Sequence, residues 1–290
     1  MSAPAVFYDE LTSRNSGFIP GSAQRRIREA RVLVAGCGST GGAVIEPLAR
    51  LGFQDLVLAD NGDYELNNLN RQHAAHSHVG RNKAEVSAEL VMAINPFARI
   101  DVHRHGIQPY NVDELVRGSD VVIDGVDVTE RSGMRAKWAL HESAARLGVP
   151  VISGYDMAGM QYVRCYDYRK PSRPFDGTVT LRHVEESTPW QVLALLIPKR
   201  KVPVEMLRNL RVSLHDDDYH VSQLVYTSML FGAIASRMTV ELLRGRPVRR
   251  SVSIDLHSAL RRRSTNGRLA AGKPLEIVRT LRTLKKGSPE

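Results

Sequence analysis

Arg31-Val-Leu-Val-Ala-Gly36-Cys-Gly38-Ser-Thr-Gly41 is the stretch on which the fold turns. The apolar residues between Arg31 and Gly36 run without alternation, which predicts a parallel strand buried on both faces. Gly36, Gly38 and Gly41 follow in a G-x-G-x-x-G spacing. A helix is predicted over Thr40 to Leu51, kinked by Pro47 and stopped by Gly52. Asp55 to Asp60 reads as a second buried strand, completing a strand–helix–strand unit of about 30 residues with a right-handed crossover. The glycines allow a tight turn and a close backbone approach to phosphate, and the helix N-terminus offers N–H groups to an anion. Asp60, at the end of the second strand, is placed to accept hydrogen bonds from a ribose. A glycine turn that binds nothing is the plain alternative.

The alternation of strand and helix continues outward. Asn82 to Ile94 reads as a helix ended by Asn95-Pro96, and Arg99 to Arg104 as a strand. Asp120 to Asp124 is a strand, Arg131 to Leu147 a helix and Val149 to Ser153 a strand. Gln161 to Tyr168 alternates and adds an antiparallel strand; Val221 to Leu243 reads as a buried helix and Ser251 to Leu256 as a last strand. The predicted class is α/β: a doubly wound, mostly parallel, Rossmann-like sheet with added antiparallel strands and a long crossover segment. Residues 1–30 form an arm and helix, 31–258 the nucleotide-binding domain, and 259–290 a basic tail. Within the domain, 169–219 is rich in Pro, Arg and Asp and is read as a crossover with little regular structure.

Composition narrows the class. With 290 residues, 42% apolar and 24% charged, the chain is an ordinary globular protein. The longest apolar run, Leu224 to Ala235, is broken by Thr227, Ser228 and Gly232 and falls short of the about 20 residues a bilayer needs. No signal peptide and no membrane partner are expected, and the cytoplasm is the expected compartment. Cys37 and Cys165 are the only cysteines, so no disulfide framework and no structural zinc are expected. The net charge of +9 is concentrated beyond Ser236, where 14 Lys and Arg face 4 Asp and Glu. That stretch reads as a solvated basic tail, or else as a dock for an acidic protein or nucleic acid. No RNA-binding or helix-turn-helix signature accompanies it, so nucleic acid is not expected as a partner.

Other residues sharpen the nucleotide reading. Asn68-Leu-Asn-Arg71-Gln72 lies beside the end of the second strand, Lys83 follows in Val79-Gly-Arg-Asn-Lys83, and Asp127 lies just past the strand ending at Asp124. Strand C-termini of a doubly wound sheet open into one crevice, so these groups can converge. A dinucleotide such as NAD needs no such excess of cations around its phosphates, whereas attack on the α-phosphate of ATP does. Arg71 can bind phosphate through its planar fork and Lys83 as a point charge. Asp127 is suited to Mg²⁺, because hard cations select carboxylate oxygen.

At these residues the chain resembles the ThiF/MoeB/HesA family of ubiquitin-like-protein activators. The match runs from Arg14 to Tyr168 and combines the glycine spacing, an Asp at the second strand's end, Asn-Leu-x-Arg-Gln, Val-Gly-x-x-Lys and Ile-Asn-Pro. The resemblance implies that Asp60 holds the ribose. It implies that Asn68, Arg71, Gln72 and Lys83 form the phosphate and catalytic group, with Asp127 at Mg²⁺ or the reacting phosphate. It implies a homodimer in which Arg14 reaches the triphosphate of the partner subunit, although Ser-Arg14-Asn-Ser-Gly matches the family pattern only loosely. The implied activity is ATP-dependent adenylylation of a carboxylate, on the C-terminus of a small carrier protein or peptide or on a small-molecule acid, with release of pyrophosphate. The alternatives are a tRNA-modifying dehydratase of the same superfamily, a non-catalytic partner subunit and an NAD-dependent oxidoreductase.

The chain also departs from that pattern. The paired Cys-x-x-Cys motifs of zinc-binding relatives are missing, and no cysteine follows Cys165, so the crossover lacks a thioester-forming nucleophile. Cys165 falls in a predicted strand and reads as a packed core residue, and Cys37 as a small residue of the phosphate loop. Gly62 occupies the second acidic position after Asp60, leaving the role of Asp63 open. His215 to His220 reads as an acidic loop at a helix N-terminus or as a metal site. Trp138 is assigned to the core and Trp190 has no assigned role.

Overall fold

The structure is a computed structural model and describes residues 3–213 and 222–286. His215 to His220 lie outside the described residues. The chain opens with α1 (Pro4–Thr12) and α2 (Gly21–Glu29), joined by a short turn over Ser13–Asn15. The glycine unit follows as β1 (Arg31–Ala35), α3 (Ser39–Leu51) and β2 (Asp55–Ala59), within a residue of the predicted bounds. Next come α4 (Lys83–Ile94), β3 (Arg99–His103), α5 (Val112–Arg117), β4 (Val121–Asp124), α6 (Arg131–Leu147), β5 (Val151–Met157) and β6 (Met160–Tyr166).

Among the described residues the sheet has seven strands in the order β3-β2-β1-β4-β5-β6-β7, with β7 at Ser251–Asp255. The pairs from β3 through β5 are parallel, and β6 and β7 join antiparallel. This is the predicted doubly wound sheet with antiparallel additions. Strand order reverses between β1 and β4, which makes their C-terminal ends a topological switch point. Both faces are covered, and alternate residues of β1 show it. Val32 and Val34 pack into the core layer under α3 and α4, while Leu33 and Ala35 pack into the layer under α5 and α6. Burial on both faces is why the strand reads as an unbroken apolar run.

α3 runs unbroken through Pro47. Proline at that position leaves the Ala43 carbonyl without its intrahelical donor. Gly232 of α10 (Val225–Leu243) sits against this carbonyl, where a Cβ would lie 2.2 Å from the oxygen. The missing hydrogen bond is thus used for close helix packing.

Two sequence expectations are corrected. Among its described residues the crossover carries three α-helices, α7 (Leu181–Glu186), α8 (Pro189–Leu196) and α9 (Val204–Ser213). Two of these are short and depend on caps: Thr180 accepts from His183 N at 3.3 Å, and Thr188 from Gln191 N at 3.3 Å. The basic C-terminal stretch is not wholly a solvated tail. After α11 (Leu256–Leu260), α12 (Arg263–Lys286) packs on α9 and buries Glu276 and Thr280. Glu276 lies 3.1 Å from Arg211 and 3.5 Å from Arg279, so part of the positive charge is internally matched. No described helix is long and apolar enough to cross a membrane.

Candidate functional site

The crevice at the switch point is built by backbone. Gly36 leaves β1 with φ of +84°, and a Cβ there would meet the Gly125 carbonyl oxygen at 2.4 Å. A Cβ on Gly41, in the first turn of α3, would lie 1.8 Å from the Gly36 oxygen. The turn after β1, the start of α3 and the loop after β4 therefore interlock, and side chains at these positions would push them apart. Gly125 was not singled out in the sequence, because its partner strand is remote along the chain.

Asp60, just past β2, accepts from Cys37 N at 2.6 Å and from Gly62 N at 2.7 Å. Burial pushes its carboxyl above the ordinary value, opposed by the Gly62 hydrogen bond and by the Lys83 charge. Lys83 opens α4, whose Asn82 cap accepts from Ala84 N at 3.0 Å. A side chain on Gly62 would press on both Lys83 Nζ and Asp60 Oδ1, each 3.2 Å from its Cβ position. Asp63 is exposed and pairs through its backbone with Asn82.

Arg71 is half-buried and fixed by its neighbours. It donates to the Asn67 carbonyl at 3.0 Å, to Asn70 Oδ1 at 2.7 Å and to Gln223 Oε1 just before α10. Burial lowers its pKa, while Asp127 and Asp156 oppose the shift. Gln72 is buried beside Gly38, and its Oε1 has no hydrogen-bond partner. Asp127 is exposed in the loop after β4, and its Oδ1 accepts from Thr129 N at 2.9 Å and Thr129 Oγ1 at 2.8 Å.

These groups share one cavity of about 800 Å³. Gly36, Gly38, Asp60, Arg71, Gln72, Lys83 and Asp127 all line it. Gly41 stands behind the lining as the residue that lets the turn close. Asn68 does not line it: it is buried in the adjacent turn, where its Oδ1 accepts from Glu65 N at 3.3 Å. Arg14 is exposed in the turn before α2 and lies outside this cavity. Among the described residues no cluster of three or more His, Cys, Asp or Glu could hold a metal unaided. Magnesium commonly uses one or two carboxylates plus substrate phosphates, and the exposed Asp127 carboxylate at the cavity fits that mode.

Sequence reasoning missed Asp156, near the end of β5. Its Oδ2 accepts from Ser228 Oγ at 3.1 Å and Ser39 Oγ at 3.4 Å, and it lines the cavity. Burial pushes its carboxyl up to about 6, against the Ser228 and Ser39 hydroxyls and the Arg71 charge. The strand was predicted to end at Ser153, three residues short of it. A second missed group is a fully buried charge network behind the Asp127 loop. Asp124 Oδ2 meets Lys137 Nζ at 2.5 Å, His141 Nε2 at 3.0 Å and Ser153 Oγ at 2.6 Å. Burial alone would push the Asp124 carboxyl up, but Lys137 and His141 outweigh it and hold it well below the usual range. Trp138 packs near Phe175, whereas Trp190 lines the cavity. Cys165 lies in the core on β6, with burial pushing its thiol up to about 12, and Cys37 is buried with its thiol well above the ordinary value.

A sheet with this strand order and a glycine turn at its switch point defines a Rossmann-like protein. The chain belongs to the ThiF family, whose family model matches residues 12–248. It is 33% identical over 165 residues to the SAMP-activating enzyme E1 of Haloferax volcanii, covering 54% of this chain and 59% of that protein. It is 42% identical over 104 residues to the tRNA threonylcarbamoyladenosine dehydratase of Haemophilus influenzae, covering 35% of this chain and 40% of that one. The chain therefore spans less than two thirds of the length of these curated relatives. The crystal structure of E. coli MccB with ATP shares the fold, with a TM-score of 0.59 at 15% identity over 81% of this chain and 63% of that one.

Proposed function

We propose that the chain is an ATP-dependent adenylyltransferase that activates a carboxylate as an acyl-adenylate. The observation that carries this reading is the placement of Asp60, Arg71, Lys83 and Asp127 around the glycine-lined end of one cavity. Asp60 binds the ribose and, through Cys37 N, keeps the phosphate turn closed. Gln72, with an unpartnered buried oxygen beside Gly38, has a free acceptor for a nucleotide hydroxyl. Asp127 with the nucleotide phosphates holds Mg²⁺, which supplies charge neutralisation to the phosphates.

In the reaction a carboxylate oxygen attacks the α-phosphorus of ATP. The new O–P bond forms as the bond to the bridging oxygen of pyrophosphate breaks. No proton needs to move, because a carboxylate is ionised at neutral pH. Arg71 and Lys83 balance the negative charge spread over the transition state and the leaving pyrophosphate, and the anchoring of Arg71 by Asn67, Asn70 and Gln223 makes that charge preorganised. Both cysteines are buried, so the adenylate passes straight to an external nucleophile. The exposed Arg14 completes the site of a second subunit in a homodimer. Magnesium-dependent exchange of pyrophosphate into ATP, driven by a carboxylate substrate, tests the reading. NAD chemistry is disfavoured by the cations that crowd the phosphate end.

A further inference from the structure

Beyond its glycine end the same cavity changes character. α8 buries Val192 and Leu196 in the core, yet leaves Trp190 and Leu193 partly exposed towards the cavity. α12 buries Glu276 and Thr280 against α9, and leaves Ile277, Leu281 and Leu284 lining the cavity with part of their surface uncovered. Leu210 of α9 completes this wall. Large apolar side chains left partly bare along the wall of a cleft mark a binding chamber. At about 800 Å³ the cavity lies in the upper part of the range for one bound small molecule. It therefore has room beyond its phosphate end.

We infer that this half is an acyl chamber, which takes the alkyl or aromatic part of a small carboxylic acid whose carboxylate reaches the glycine end. The inference rests on the adenylation reading and names its substrate class. A peptide C-terminus is a poorer occupant, because each buried peptide group needs hydrogen-bond partners. The wall offers little for that purpose: its Thr280 hydroxyl is already bonded to the Leu207 carbonyl at 3.1 Å and the Glu276 carbonyl at 2.9 Å. Glu130, Arg135 and Lys199 also line the cavity and are exposed, whereas the wall that α8, α9 and α12 build is formed largely by apolar side chains.

The test uses the full chain with two readouts. Displacement of a fluorescent polyene fatty acid by acetate, butyrate, octanoate and decanoate measures binding, and pyrophosphate exchange with the same acids and with a glycine-terminated peptide measures chemistry. Affinity should rise by about three- to fourfold per methylene until the chamber is full. Leu281→Arg and Ala194→Trp, one charging the chamber and one filling it, should each weaken binding of the longer acids by at least about tenfold while ATP affinity stays unchanged. Equal binding to wild type and both variants, affinity independent of chain length, or exchange supported only by a glycine-terminated peptide would overturn the inference. Chain-length-dependent binding lost in both variants, without exchange for any acid or for the peptide, would uphold the chamber and overturn the adenylation reading instead.

Discussion

The Asp60 carboxylate accepts a hydrogen bond from the Cys37 backbone N–H at 2.6 Å, so the residue that ends β2 also holds the turn that follows β1. Sequence reading assigns Asp60 to the ribose alone. The geometry gives it a structural duty as well. Asp60→Ala should weaken ATP binding and also destabilise the fold by about 1–3 kcal/mol, because Cys37 N and Gly62 N lose their acceptor. Calorimetric titration with ATP and urea unfolding should report both losses together. A variant with weakened ATP binding and unchanged stability would show that the turn closes without Asp60.

Asp156 predicts a pH-dependent stability difference. Its folded-state pKa is raised from 3.8 to about 6 by burial. Between those values the folded protein binds more protons than the unfolded one, so this group's contribution falls as pH rises through the window and stays lost above it. Asp156→Asn keeps an acceptor for Ser39 and Ser228 and carries no charge. The variant should gain on wild type as pH rises from about 4 to about 7, by up to about 3 kcal/mol. Paired urea titrations across that range check it; a difference that is flat with pH would mean Asp156 is not raised.

The Asp124 network sets a second stability test. Removing one member of a buried ion pair leaves an uncompensated charge and costs about 3–5 kcal/mol. Lys137→Met should therefore be severely destabilising by chemical denaturation. Asp124→Asn with Lys137→Met should recover part of the loss, because both charges leave together. A single variant as stable as wild type would contradict the assigned pairing.

Much of this was legible in the sequence, and the misses have physical causes. Gly36, Gly38, Gly41 and Asp60 were readable because they are a local pattern flanked by apolar runs. Arg71, Lys83 and Asp127 were readable because strand ends of such a sheet share a crevice. Asp156 was missed because β5 extends past Ser153 by pairing with β6, a tertiary gain invisible in local propensity. Lys137 and His141, one helical turn apart on α6, were masked by the habit of placing charge outside. In α12, counting the basic residues hid the i, i+4, i+7 spacing of Ile277, Leu281 and Leu284 that lets the helix present one apolar face.

Assembly is tested by mixing. If Arg14 acts in the partner's site, Arg14→Ala and Asp127→Ala homodimers should each be nearly inactive, and their mixture should recover up to about a quarter of wild-type activity, since random exchange makes half the dimers mixed and each mixed dimer has one intact site. Pyrophosphate exchange after subunit exchange measures it. Recovery absent despite exchange seen by mass spectrometry of intact dimers would place Arg14 in the site of its own chain or outside any site.

The cluster on the cavity's glycine end is proposed to activate a carboxylate with ATP. The most direct measurement is magnesium-dependent exchange of labelled pyrophosphate into ATP by the full chain, with apolar carboxylic acids and glycine-terminated peptides as substrates, for wild type and for Arg71→Ala, Lys83→Ala and Asp127→Ala. Wild type should show substrate-dependent exchange and each variant a loss of at least about a hundredfold, the scale of removing one preorganised charge from a transition state. Tight NAD binding with no measurable ATP binding, or exchange undiminished in all three variants, would contradict it.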